Sequence, residues 1–142
     1  MTYKEKKLRK LGVDFGDARI GLALSDPLGM FASGLETYNR KNLQADLEHI
    51  KNLIKEKQID TLVVGLPLNM DGTKGIRVEK TEEFCEEIKK LCDVKIVFID
   101  ERLTTVQAEK MLIEQNVRRE DRKKVIDKVA ATIILQSYLD KN

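Results

Sequence analysis

The chain has 142 residues, 26 Lys and Arg against 24 Asp and Glu, one histidine and two cysteines. That length suits one domain, expected over 1–142, with a real core and no room for a second. A net charge of +2 gives no global attraction to nucleic acid or membrane, no run approaches the roughly 18 apolar residues of a membrane span, and a lone histidine leaves Ser/His and Cys/His nucleophile systems without parts.

Local charge says more. The first ten residues carry Lys4, Lys6, Lys7, Arg9 and Lys10 against Glu5 with no apolar run behind them. Residues 1–9 are therefore expected to form a basic, flexible N-terminal segment without secretory character, and the location is expected to be cytoplasmic. A second basic cluster runs from Arg118 and Arg119 to Lys124. Each cluster suits phosphate contacts and a solvated surface equally. Cys85 and Cys92 share a helix face two turns apart, too far to bridge and without companions for zinc, and read as small core residues. His49 falls off its helix's apolar stripe and reads as exposed.

The first element is a hairpin, Leu11 to Asp26, in which Gly16-Asp17 supplies turn chemistry between two apolar runs. Asp14 stands inside the first run, between Val13 and Phe15. A carboxylate on an inner strand is costly unless it is hydrogen-bonded, paired or bound to a metal, and Gly12, Gly16 and Gly21 leave room for a phosphate or another backbone. The bland alternative is a turn cap or a buried pair with Arg19. Asp26-Pro27-Leu28-Gly29 is the next turn, and Met30 to Thr37 is expected as a third strand, ending at Asn39.

Asn42 is a helix N-cap for a stripe of Leu43, Leu47, Ile50 and Ile54 that stops near Gln58. Thr61 to Leu66 is a continuous apolar run, as in a strand covered on both faces. A turn-rich loop from Gly65 to Gly75 leads to a helix from about Ile76 to Leu91, with Phe84, Ile88 and Leu91 apolar. Lys95 to Ile99 is a further buried strand, and Thr104 can cap a helix that runs to about Gln115. The last helix is expected from about Arg122 to Leu139. Three antiparallel strands followed by alternating helices and strands predict an α/β fold: a five-stranded mixed sheet with helices on its faces, the order of ribonuclease H-like folds.

Two more acids join Asp14. Glu101 lies just past a strand's carboxyl end, on the rim where open α/β sheets place ligands; its alternatives are a pair with Arg102 or a favourable place in a helix's first turn. Asp127 shares a helix face with Ala131, Ile134 and Tyr138, and the small Ala130-Ala131 lets that face approach the sheet. Its alternative is a pair with Lys123, Lys124 or Lys128. Three acids in apolar surroundings repel one another unless a cation joins them. Mg²⁺ or Mn²⁺ meets that need, and two such ions about 4 Å apart activate water and stabilise the leaving oxygen of a phosphodiester. Arg19, Lys74, Arg77 and Arg102 are candidates, with Arg118 and Arg119, for binding the phosphates.

In Gly12-Val13-Asp14-Phe15-Gly16 with Arg19-Ile20-Gly21 and Ser25-Asp26, Gly65-Leu66-Pro67 with Asp71-Gly72, Asp100-Glu101-Arg102 with Thr104-Thr105, and Ile126-Asp127 with Ala130-Ala131 and Ile134-Leu135, the sequence resembles the YqgF/RuvX family over nearly its whole length. These are bacterial RNase H-like proteins described as pre-16S rRNA nucleases and as Holliday junction resolvases. The resemblance implies a metal-dependent nuclease with Asp14, Glu101 and Asp127 as catalytic and metal-binding acids, acting in maturation of the 5′ end of small-subunit ribosomal RNA. Asp14 would bridge and the other two would be outer ligands. The implied partner is precursor ribosomal RNA ahead of branched DNA, with ribosome association, no membrane, and a monomer or weak homodimer. The related RuvC resolvases place their middle glutamate after an earlier strand, where this chain has Gly65-Leu66-Pro67. Two rival classes stand beside this one: a non-catalytic nucleic-acid-binding module, and an actin-like or sugar-kinase ATPase, which needs two such domains.

Overall fold

A computed structural model describes residues 8–102 and 104–141. The hairpin forms as expected: β1 (Arg9–Phe15) and β2 (Arg19–Ser25) pair antiparallel, with Asp14 opposite Gly21. Then come β3 (Ala32–Asn39), α1 (Leu43–Lys57), β4 (Ile59–Leu66), α2 (Ile76–Leu91), β5 (Lys95–Asp100), α3 (Thr104–Glu114) and α4 (Arg119–Lys141). The sheet order is β3-β2-β1-β4-β5, with β4 parallel to both β1 and β5. This is the predicted five-stranded mixed sheet. Apart from Leu8 and Arg9, the expected basic N-terminal segment lies outside the described residues, and Arg9 already belongs to β1. Among the described residues no helix is long and apolar enough to cross a membrane.

Strand alternation sorts the side chains onto two faces. Leu11, Val13 and Phe15 of β1, Ile20 and Leu22 of β2, and Leu62 and Val64 of β4 form one core with Leu47, Ile50 and Leu53 of α1 and Phe84, Cys85 and Ile88 of α2. On the opposite face Ala23 and Val63 meet Ala131, Ile134, Leu135 and Leu139 of α4, and α3 packs on α4. The first face is the larger store of apolar burial, at about 1.5–3 kcal/mol for each fully buried aliphatic side chain.

Several sequence expectations shift. Asn42 caps α1 through its side chain, which accepts from Ala45 N at 2.8 Å. The buried stripe of α1 is nevertheless Asp46, Leu47, Ile50 and Leu53, with Leu43 exposed and Ile54 only partly buried. Met30 and Phe31 are not in β3, because Asp26 Oδ1 accepts from both of their backbone N–H groups and holds them in the turn. Leu91 is exposed at the end of α2. His49 is half-buried rather than exposed, stacked on Tyr38 with ring centroids 4.2 Å apart and paired with Glu36. Helix α4 starts at Arg119, where Glu120 and Asp121 suit its positive N-terminal end, so the basic cluster from Arg119 onward is helical and Arg118 precedes it. Cys85 is buried and Cys92 packs against the same core, as expected.

Candidate active site

The site is built by glycines. Alternation on β1 points Asp14 and Gly12 toward α4, and Asp14 is buried. A Cβ on Gly21, the residue opposite Asp14, would lie 1.9 Å from the carbonyl oxygen of Asp127; one on Gly12 would lie 2.7 Å from that of Ala131. The backbone of α4 therefore rides directly on β1 and β2, which brings Asp127 beside Asp14. From the other side, Glu101 follows β5, and its backbone N–H donates to Leu66 O at 3.2 Å. Its side chain fills the space that Gly65 leaves empty, since a Cβ there would come within 2.7 Å of Glu101 Cδ.

Asp14 and Glu101 lie within hydrogen-bonding reach of each other. Burial, then the neighbouring Asp14 charge and hydrogen bond, pushes Glu101 up to about 9. Burial, then the charge of Asp127, pushes Asp14 up to about 6, against the contact with Glu101 and the cation of Arg77. Both shifts share one cause, two carboxyl groups buried side by side, so the pair resists losing its last proton. Glu101 Oε1 is buried and finds no donor among the described residues. The third acid differs, because Asp127 Oδ2 accepts from Arg19 Nε at 2.7 Å.

The expected convergence is thus a pair with a third acid alongside. Among the described residues no three carboxylate, imidazole or thiol groups gather closely enough to form a finished metal cage. The donor set still fits a hard cation: two adjacent buried carboxyl groups, one with an oxygen lacking any donor, and a third carboxylate neutralised by a surface arginine.

The bland alternatives do not form as read. Arg19 pairs with Asp127 and not Asp14; Arg102 pairs with Asp100 at 2.8 Å and not Glu101. Of the phosphate-binding candidates, Arg77 lies near enough for its charge to act on both acids of the pair, and Arg19 pairs with the third. Arg102 is committed to Asp100 and to Met70 O, tying the β4–α2 loop to the end of β5. Lys74 pairs with Glu82 at 3.2 Å, and Arg118 with Asp121 at 3.5 Å. Arg119 begins α4, about 12 Å along the axis from Asp127 at ~1.5 Å per residue. The structure therefore gathers Arg19 and Arg77 at the acids, and not the others. Sequence reasoning did not single out Arg40 and Asp46, which form an ion pair on the other face of β1 in which Asp46 is wholly buried and Arg40 partly so. The only available signal was an acid in the first turn of α1, which reads as a dipole partner.

A family profile described as "RuvX: Holliday junction resolvase" matches residues 8–141. A relative from Halalkalibacterium halodurans named "Putative pre-16S rRNA nuclease" is 52% identical over 136 residues, covering 94% of this chain and 97% of that one. Among solved structures, Thermus thermophilus RuvC in complex with a Holliday junction substrate superposes with a TM-score of 0.62 at 12% identity, covering 94% of each chain. The fowlpox virus resolvase with Holliday junction DNA gives 0.61 at 11%, covering 94% of this chain and 98% of that one. At such identities these two speak for the fold alone.

Proposed function

Because the chain belongs to the RuvX family, we propose that it is a nuclease that hydrolyses phosphodiester bonds in precursor 16S ribosomal RNA, at the 5′ end of the mature molecule. The observation that carries the chemistry is the buried Asp14–Glu101 pair with Asp127 beside it, on the rim at the carboxyl ends of β1 and β5. RNA is preferred over junction DNA because the relative named for RNA is far more similar in sequence than the resolvases are.

In this reading Asp14 and Glu101 would hold Mg²⁺ or Mn²⁺, with Asp127 as a further ligand. The cation supplies activation of water and charge stabilisation at the leaving oxygen. The rest is done by the chain. Glycines at positions 12, 21 and 65 fix the spacing of the three acids, so that little reorganisation is needed when a phosphate arrives. Arg77 lies near the pair and is positioned to meet a non-bridging phosphate oxygen, and Arg19, half exposed, is a second such group.

The test compares cleavage of a precursor ribosomal RNA fragment and of a four-way DNA junction, each with Mg²⁺ and Mn²⁺, by the wild type and by Asp14→Asn. RNA cleavage falling by about 10³-fold or more in the variant is the expected result, given what loss of one charge-stabilising group costs. Junction cleavage lost in the same way, without RNA cleavage, replaces this reading with the resolvase reading that the family description favours. Cleavage untouched by Asp14→Asn removes Asp14 from the chemistry.

A further inference from the structure

Across the sheet from the acids, the turn carrying Asp17 borders a hollow of about 460 Å³ between the start of α1 and the face of α2. Phe15 and Phe84, with ring centroids 4.6 Å apart, line it, and Leu43 is exposed at its edge. Arg40, which also lines it, lies over the Phe15 ring at 4.5 Å from the centroid. That guanidinium is fixed. Its Nε donates to Asp46 Oδ2 at 2.9 Å and its Nη1 to Gly16 O at 3.0 Å. Asp46 is wholly buried and also accepts from the Tyr38 hydroxyl and from Lys41 N.

A buried ion pair seldom stabilises a fold better than apolar residues of the same volume. What this one secures is a planar cation pressed on an aromatic ring and open to a hollow, a surface on which another flat ring stacks. The hollow does not suit a phosphate: Arg40 and Lys80 face three carboxylates, Asp17, Glu83 and Glu87, Arg40 spends its Nε and Nη1 on Asp46 and Gly16, and Lys80 pairs with Asp17 at 3.3 Å. Glu87 is engaged by Lys90, which leaves Glu83, exposed and without an ion pair or hydrogen bond among the described residues, as the acceptor. A flat neutral ring offering N–H groups fits these features. The hollow nevertheless opens at the same rim of the sheet as the acids. Lys80 stands one turn along α2 from Arg77, and Arg40 holds the carbonyl of Gly16, two residues beyond Asp14.

We propose that this hollow receives one unpaired nucleobase bearing an exocyclic amino group, from the same strand whose phosphate lies at Asp14 and Glu101. Arg40 is the stacking surface and Glu83 accepts from the amino group. The proposal rests on the nuclease reading, and its test separates the two.

Binding of short oligo(A), oligo(C) and oligo(U) strands to Asp14→Asn protein is followed by fluorescence anisotropy at fixed salt. Oligo(A) and oligo(C) should bind about tenfold tighter than oligo(U), the discrimination expected of one good hydrogen-bonded base edge. Adding Glu83→Ala should erase that difference while leaving oligo(U) affinity unchanged. Adding Arg40→Lys, which keeps the charge and loses the plane, should weaken all three strands; circular dichroism and thermal melting confirm that each variant is folded. Equal affinities for the three strands, or a preference that survives Glu83→Ala, overturn the base site and leave the nuclease reading standing. No binding of any strand overturns both.

Discussion

Along β1 the residues alternate between two constructions: Leu11, Val13 and Phe15 meet the large side chains of α1 and α2, whereas Gly12 and Asp14 meet the backbone of α4. The first face gains stability in the ordinary way, by filling space with apolar volume. The second gives volume up. Its glycines let a helix backbone lie against the strands, and that close approach places the acid of α4 beside that of β1, which in turn pairs with the acid at the end of β5. The result is a face whose charges destabilise the protein alone and become useful when a cation or a phosphate arrives.

The sharpest way to break this contrast is to change one residue of each construction in turn. Gly21→Ala drives a methyl group to within 1.9 Å of the Asp127 carbonyl, a backbone atom that moves only if α4 moves. It should cost about 3 kcal/mol in urea unfolding and abolish cleavage, because the acids separate. Leu22→Ala, the next residue and fully buried in the opposite core, should cost a similar ~3 kcal/mol as a cavity. The folded fraction of that protein should cleave within a few-fold of wild type. Equal damage to activity by the two changes would mean that the faces are not separable.

A smaller effect has the opposite sign. Both pair acids titrate higher in the folded chain than unfolded, so the folded state binds more protons through the intervening range. Their contribution is fully favourable below about pH 4, the unfolded range. It declines as pH rises through about 6 for Asp14 and about 9 for Glu101. Glu101→Gln keeps the shape without the charge. In metal-free buffer it should be about 1–2 kcal/mol more stable than wild type at pH 9 and indistinguishable near pH 4. Denaturant midpoints across pH check this, and a wild type that gains stability with rising alkalinity would show that the pair is not strained.

The elements were legible where the signal is local. Asn42 as cap, the bounds Ile76–Leu91 and the apolar run of β4 follow from spacing and capping chemistry, and the mixed five-stranded sheet follows from the alternation of elements. The face of α1 was not, because Leu43-Leu47-Ile50-Ile54 and Asp46-Ile50-Leu53 are both helical stripes, and a buried acid hid the occupied one. Of the site, the three acids were legible as charges in apolar company, together with the small residues that bring α4 close. Their partners were not. Arg19 and Asp127 are 108 positions apart, and only the crossing of α4 over β2 decides that Arg19 meets Asp127 and not Asp14.

That pair offers the smallest and most specific probe. Arg19 and Asp127 keep 48% and 23% of their side-chain surface exposed, so the ion pair is worth less than about 1 kcal/mol and Arg19→Gln should shift the unfolding midpoint little. Its electrostatic consequence is larger than its energetic one. With the guanidinium gone, Asp127 is left uncompensated beside Asp14, the field at the pair becomes more negative, and a carboxylate is released. Cation binding should therefore tighten, by several-fold in Mn²⁺ titrations of the protein alone followed by electron paramagnetic resonance. Affinity for a nucleic-acid strand should fall in the same variant, because a phosphate contact is lost. Weaker Mn²⁺ binding would mean that Arg19 organises Asp127 for the cation instead of competing with it. The charge on the glycine-built face would then be balanced by a fixed surface arginine, with or without a metal.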